Sequence, residues 1–303
     1  MCIRDRQEGH AAFASATRGV MAGGQTPTVL SSITYVTIPS QGGANDFGDL
    51  KTAVTRNVGL SDSVRGISGG GKVSPAQVNT MEFVTIASTG DGTNFGDLTR
   101  EHAGQGACAS PTRGLFAGGY NPDGNAKNID FITIATLGDA QDFGELTDDV
   151  NHLAGCSNST RGLFGGGQNP SNVNTIAFVT IASLGNAQDF GDLQSGAARK
   201  GMLSCSNSTR GLFAGGETPS NSNIIDFVTI ATLGNGQNFG DLTFVTNTSS
   251  GTSSPTRGIF AGGSADTIDK VEILTTGDAV DFGNLGRGSS RCYGAFSNGH
   301  GGL

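Results

Sequence analysis

Tryptophan is missing altogether from this 303-residue chain, proline occurs only 8 times, and Asp, Glu, Lys and Arg together make up 15% of it. Each shortage excludes something. So little charge, beside 17 Phe and many Val and Ile, does not suit a disordered chain. No apolar run approaches the ~18 residues of a membrane-spanning helix, so no membrane insertion is expected. Only 18 Lys and Arg stand against 26 Asp and Glu, which makes nucleic acid and anionic membrane surfaces poor electrostatic partners. Among the 5 Cys and 4 His there is no CxxC and no zinc-ligand spacing. What the chain has in excess is glycine, 50 residues, without the strict three-residue period of collagen.

The opening Met1-Cys2-Ile3-Arg4-Asp5-Arg6 has no counterpart later in the chain. It is similar to the translation of a transposon-end adapter used in shotgun sequencing libraries. Residues 1–6 are therefore set apart from the fold, further native sequence is expected upstream, and 7–303 is read as one domain.

Internal repetition organises that domain. Arg-Gly recurs at Arg18, Arg65, Arg113, Arg161, Arg210 and Arg257, at intervals of 47 to 49 residues. Phe-Gly recurs at Phe47, Phe95, Phe143, Phe190, Phe239 and Phe282, each pair followed by an acid or Asn and then Leu. Two markers keeping one period define six units, at about 7–50, 51–98, 99–146, 147–193, 194–242 and 243–285.

Each unit holds four short strand-like segments. In the third they are the small-residue stretch His102–Ala109, RGLFAGG from Arg113, IDFITIAT from Ile129 and QDFGEL from Gln141. Ser110-Pro111-Thr112, Asn121-Pro122-Asp123-Gly124 and Gly138-Asp139 separate them as turns. No segment carries a sustained 3.6-residue apolar period, so no helix is expected. Four antiparallel strands per 48-residue unit predict an all-β fold, a β-propeller of four-stranded blades. The Gly/Ala/Ser/Cys-rich segments (His102–Ala109, His152–Asn158, Lys200–Asn207) belong innermost, where space is tightest, and Phe131, Ile132 and Ile134 with their equivalents belong between blades.

With a small-residue first strand, a second ending in Gly-Gly, an aromatic and β-branched third and a short aromatic fourth, the unit resembles the kelch repeat. The double glycines begin at Gly23, Gly70, Gly118, Gly166, Gly215 and Gly262, and the fourth-strand Trp usual in kelch is Phe here. TRGLFAGG and DFGDL are also similar to repeats of marine phage and metagenomic proteins. After the sixth unit, Cys292–Asn298 matches the first-strand pattern and His300-Gly301 stands where Arg-Gly would. Residues 286–303 are thus read as a seventh inner strand, and the intact protein as seven-bladed; a six-bladed ring is the alternative.

A catalytic constellation on a ring must break its symmetry, and what repeats in every blade is most simply structural. The six repeat Arg could form a positive ring for an anion. The preferred expectation is that each pairs with a neighbouring blade's carbonyl or with the acids Asp49, Asp97, Glu145, Asp192 and Asp241. One or two acids per blade do not make a calcium loop. Cys108, Cys156 and Cys205 precede the repeat Arg by five residues and read as small apolar side chains, with Phe13 and Leu60 in the same slot. His10, His102, His152 and His300 do not assemble a metal set, so no cofactor is expected. The strongest symmetry breakers are loops, above all YNPDGNAKN in the third unit, with Tyr120, Asn121, Asp123, Asn125 and Lys127 as candidate ligand contacts.

These readings predict a non-enzymatic binding or structural module that engages a protein or glycan surface through rim loops. The phage resemblance implies a virion-associated or extracellular setting. Two alternatives stand beside it: a secreted kelch-like carbohydrate oxidase, whose Tyr, His and Cys copper ligands do not assemble from Tyr35, Tyr120 and Tyr293, and an intracellular kelch adaptor.

Overall fold

A computed structural model describes residues 9–284 except 27, 38–43, 195–197, 248–249, 262 and 264–266. The seventh inner strand expected at 286–303 and the adapter-like start lie outside the described residues. Within them the chain is all-β, with no helix, and forms a six-bladed β-propeller.

Every blade is a meander in which sequential strands pair antiparallel. In blade three the strands are Gly106–Ala109, Arg113–Ala117, Asn128–Thr133 and Gln141–Glu145. The inner strands of the other blades are Ala11–Ala14, Val58–Ser61, Ala154–Ser157, Leu203–Ser206 and Ser250–Ser253. They touch in consecutive order, and that of blade one also touches that of blade six, which makes the array a ring. Inner strands begin later than the small-residue segments suggest. In blade three Gly104 turns left-handed (φ 67°) and Ala103 bridges Tyr120, so 102–105 is a linker rather than strand.

The alternation along each third strand explains the stacking. Phe131 packs with Val150, Leu153, Phe164 and Val179 of blade four, whereas Ile132 and Ile134 pack with Val58, Leu60 and Phe95 of blade two. Five such apolar clusters fill the five interfaces from blade one to blade six. One sheet presents both faces, so each needs a neighbour on either side. The outer-strand Phe meets its third-strand partner edge to face, as with Phe131 and Phe143 at 6.1 Å and 73°.

Repeated glycines serve contacts between blades. Inner-strand side chains Phe13, Leu60, Cys108, Cys156 and Cys205 point at the Arg-Gly glycine of the next blade; a Cβ on Gly162 would lie 2.6 Å from the Cys108 sulfur. The glycine of the Phe-Gly pair admits the next blade's third-to-outer turn: a Cβ on Gly144 would lie 2.5 Å from the Gly185 oxygen. Asn186 in that turn accepts the Glu145 amide at 3.1 Å. Serine hydroxyls stitch the inner strands, Ser157 to the Ala109 carbonyl (2.6 Å) and Ser206 to that of Ser157 (2.7 Å).

Blade six is the exception. Phe282 is 46% exposed, where Phe143 and Phe239 are 2% exposed, and no described atom approaches the position of a Gly283 Cβ.

Candidate functional site

The meander gives the ring two different rims. One carries the inner-to-second turns, the repeat Arg and the third-to-outer turns. The other carries the second-to-third connections and the linkers that enter each blade.

On the first rim five of the six repeat Arg are engaged within the fold. Arg18, Arg65, Arg113, Arg161 and Arg210 each donate Nη1 to a carbonyl of the next blade (Ile86, Ile134, Ile181, Ile230, Ile273) at 2.9–3.1 Å. Each guanidinium also lies 4.4–5.0 Å from an aromatic centroid of its own third strand. The expected pairing with Asp49, Asp97, Glu145, Asp192 and Asp241 does not form. The amides of those residues bond the next blade's turn, as Asp49 does with Asp91 Oδ1 at 3.0 Å. Arg257 instead pairs with Glu272 of its own sheet at 3.1 Å. Leu137, Leu184 and Leu233 project from the third-to-outer turns, 57–59% exposed.

Blades differ from one another on the second rim. In blades one to five the connection there is a short two-stranded arm, such as Tyr120–Asn121 with Gly124–Asn125. Its first residue bridges the linker: Lys72 with Thr55, Tyr120 with Ala103, Gln168 with Asn151, Glu217 with Lys200. The next linker residue is left-handed, and five of these join in a backbone chain. Arg56 donates to the Gly9 carbonyl, Gly104 to Arg56, His152 to Gly104 and Gly201 to His152. Glycine suits that conformation. Arg56 (φ 57°) and His152 (φ 54°) adopt it against the preference of L-residues.

These two side chains flank Tyr120. Arg56 Nη1 donates to the Tyr120 hydroxyl, and the His152 ring stacks on Tyr120 at 5.8 Å and 28°. Asn151 turns its amide nitrogen to Asn125 Oδ1 and its oxygen to His152 Nδ1. That orientation assigns the imidazole proton to Nδ1. Burial, then the charges of Arg56 and Lys200, hold the His152 pKa at about 4, so the ring is neutral at pH 7. Asn125 Nδ2 reaches the Gln168 carbonyl at 3.0 Å, Lys200 Nζ reaches Gln168 Oε1 at 3.1 Å, and Lys200 faces Glu217 at 3.8 Å. One polar network thus crosses blades two to five.

The five loop residues expected as contacts separate within it. Tyr120 and Asn125 join the network. Asn121 turns inward to His102 Nε2 at 3.2 Å, and its oxygen accepts the Asp123 amide at 2.9 Å. Asp123 sits exposed at the arm's tip, and Lys127 pairs with Glu145 at 3.0 Å, toward the outer strand. Sequence reasoning missed Arg56, Asn151, Gln168, Lys200 and Glu217. Aligning the linkers would have found Arg56, because it and His152 interrupt a column of glycines.

The cysteines and two of the other histidines are interior. Cys108, Cys156 and Cys205 are buried free thiols; burial raises Cys156 to about 12 and lifts the other two well above the ordinary thiol value. His10 and His102 are buried and held near 4, His10 by burial and His102 by burial and then Arg100. Among the described residues no three His, Cys, Asp or Glu converge as a metal set. No protein-family model matches the chain, and no curated protein matches it.

Proposed function

We propose that this chain is a non-enzymatic binding module, kelch-like in its repeats, that engages a protein or glycan surface through the arm-bearing rim. One observation carries the proposal: the repeated polar groups are engaged within the fold, while the residues that vary from blade to blade gather in one network on one rim. Successive arms begin with Lys72, Tyr120, Gln168 and Glu217, four chemistries at one structural position. Rigid blades presenting variable loops are a common basis for recognition. The likeness of TRGLFAGG and DFGDL to marine phage repeats supports a virion-associated or extracellular setting.

The test uses variants whose backbones the ring already accommodates. Arg56→Gly and His152→Gly place glycine where Gly9, Gly104 and Gly201 stand. The intact protein is screened against a glycan array and against surface proteins of marine bacteria, and its ligands are titrated with these variants and Lys200→Ala. Leu137→Ser and Leu184→Ser serve as controls on the opposite rim. Binding lost in the first set and kept in the second supports the proposal. Binding lost only in the leucine variants, or copper-dependent peroxide release on galactosides, overturns it.

A further inference from the structure

At the third-strand position opposite the fourth residue of the second strand, four blades carry a buried carboxylate: Glu82, Asp130, Asp226 and Asp269. Each caps the linker leaving the preceding blade. Glu82 accepts the Lys51 and Thr52 amides at 2.8 and 3.0 Å. Asp130 accepts the Thr99 amide at 2.9 Å and its hydroxyl at 2.7 Å. Asp269 accepts the Thr243 amide and hydroxyl at 2.8 and 2.6 Å. Asp226 receives the buried Arg199 guanidinium together with the amide of Gln194, which follows Leu193 at the same linker position.

Blade four breaks the pattern with Ala177. The linker it should cap is unchanged, since Thr147 follows Leu146 as Thr99 follows Leu98 and Thr243 follows Leu242. The Thr147 amide has no acceptor among the described residues, and its hydroxyl turns to Asp148 Oδ2 at 3.3 Å. Where the carboxylate would lie there is a cavity of about 20 Å³, lined by Leu146, Thr147, Val150, Phe164, Val173 and Ala177. A site needs roughly 10–15 Å³ by this measure to hold one water. The mouth passes Thr147 and Asp148, both exposed.

We infer that this socket between blades three and four binds the carboxylate of a small acid, which takes the place of the missing side chain. Its oxygens accept the Thr147 amide and hydroxyl, as Asp130 and Asp269 do with Thr99 and Thr243. Its short apolar tail, no larger than a methyl or ethyl group, meets Val150 and Val173. The Asp148 carboxylate at the mouth opposes a second anion. That repulsion and the small size of the ligand put the affinity on the order of millimolar. The inference does not depend on the rim network, and the socket can be tested whether or not that network recognises a partner.

The probe is sodium acetate, compared with sodium chloride at equal ionic strength and pH, read by the thermal midpoint and by the amide NMR shift of Thr147. Ala177→Asp supplies the carboxylate in place; Ala177→Val fills the cavity without one and stands in should the first variant fail to fold. In the unmodified chain, acetate should raise the midpoint saturably and move the Thr147 amide. Both responses should vanish in either variant. A capped aspartate (acetyl-aspartate methylamide) that binds more tightly than acetate would identify a partner's acidic side chain as the source, and acetate binding alone would identify a free acid. Acetate behaving as chloride does, with the Thr147 amide unmoved, overturns the inference, as does an unchanged response in Ala177→Val.

Discussion

Inner-strand glycines alternate with larger residues around the ring, and that alternation gives a sharp mutational test. At one position blades one to six carry Ala12, Gly59, Ala107, Gly155, Ser204 and Gly251. A Cβ on Gly155 would stand 2.3 Å from the Ala107 carbonyl oxygen, and Gly59 and Gly251 face Ala12 and Ser204 at 2.3 and 2.4 Å. Gly155 is not among the left-handed glycines, so the constraint is purely one of approach. Ordinary contact with a Cβ begins near 3.4 Å, so Gly155→Ala must part blades three and four by about 1 Å. The obstructing atom is backbone, and no rotamer relieves it. A radial gap of that size forfeits a quarter to a half of the local dispersion energy, and overpacking of this kind costs about 1–3 kcal/mol. The control is Ala107→Ser. Ser204, its equivalent in blade five, donates to the Gly155 carbonyl at 2.7 Å, so a serine at 107 should reach the Gly59 carbonyl and leave stability within ~0.5 kcal/mol. Urea unfolding reads both: Gly155→Ala should lower the midpoint with an unchanged slope, and Ala107→Ser should not. Equal effects from the two substitutions, or none from Gly155→Ala, would refute the close approach of paired inner strands.

Other outcomes follow from the same contacts. Arg161→Met removes the bond to the Ile230 carbonyl and the contact with the Phe178 ring, and should cost about 1–2 kcal/mol in urea titration. His10, His102 and His152 are held near 4 in the fold against 6.5 free. Between those values the unfolded chain takes up protons that the folded chain refuses, so stability present above pH 6.5 is lost as pH falls toward 4. The loss is about 3 kcal/mol for the enclosed His10 alone. The raised Asp130 and Asp226 work in the opposite sense and offset part of it. Unfolding midpoints at pH 7.5 and 4.5 should show the net fall, and His10→Asn, matching Asn57 of blade two, should lessen it. Cys108, Cys156 and Cys205, buried with raised pKa, should resist a thiol reagent at pH 8 until the chain unfolds, as peptide mass mapping would show.

The ring was legible because its cause is periodic. Arg-Gly, Gly-Gly and Phe-Gly recur at the blade interval, and the glycines Gly66, Gly114, Gly162, Gly48, Gly96 and Gly144 each meet a neighbouring blade. The direction of the repeat Arg was only half legible. A positive residue beside periodic acids suggests ion pairs, yet a guanidinium laid over Phe131 or Phe178 points its nitrogens at the next blade's carbonyl row. The rim network was less legible still. Arg56, His152 and Lys200 are far apart along the chain and meet only because consecutive linkers hydrogen-bond around the ring. Ala177 carries no signal as a residue; its meaning lies in what Asp130 and Asp269 do in the same place.

The central claim, that six sheets lean on one another around a common axis, can be tested by distances between spin labels. Thr17, Val64, Thr112, Thr160, Thr209 and Thr256 each precede a repeat Arg and are exposed or lie in exposed turns. Pairs are formed between position 17 and each of the others in turn. In the ring the distance rises to a maximum at Thr160, on the opposite side, and falls again at Thr209 and Thr256. A linear stack of sheets about 10 Å apart would instead give a distance that grows at every step and reaches about 50 Å at Thr256.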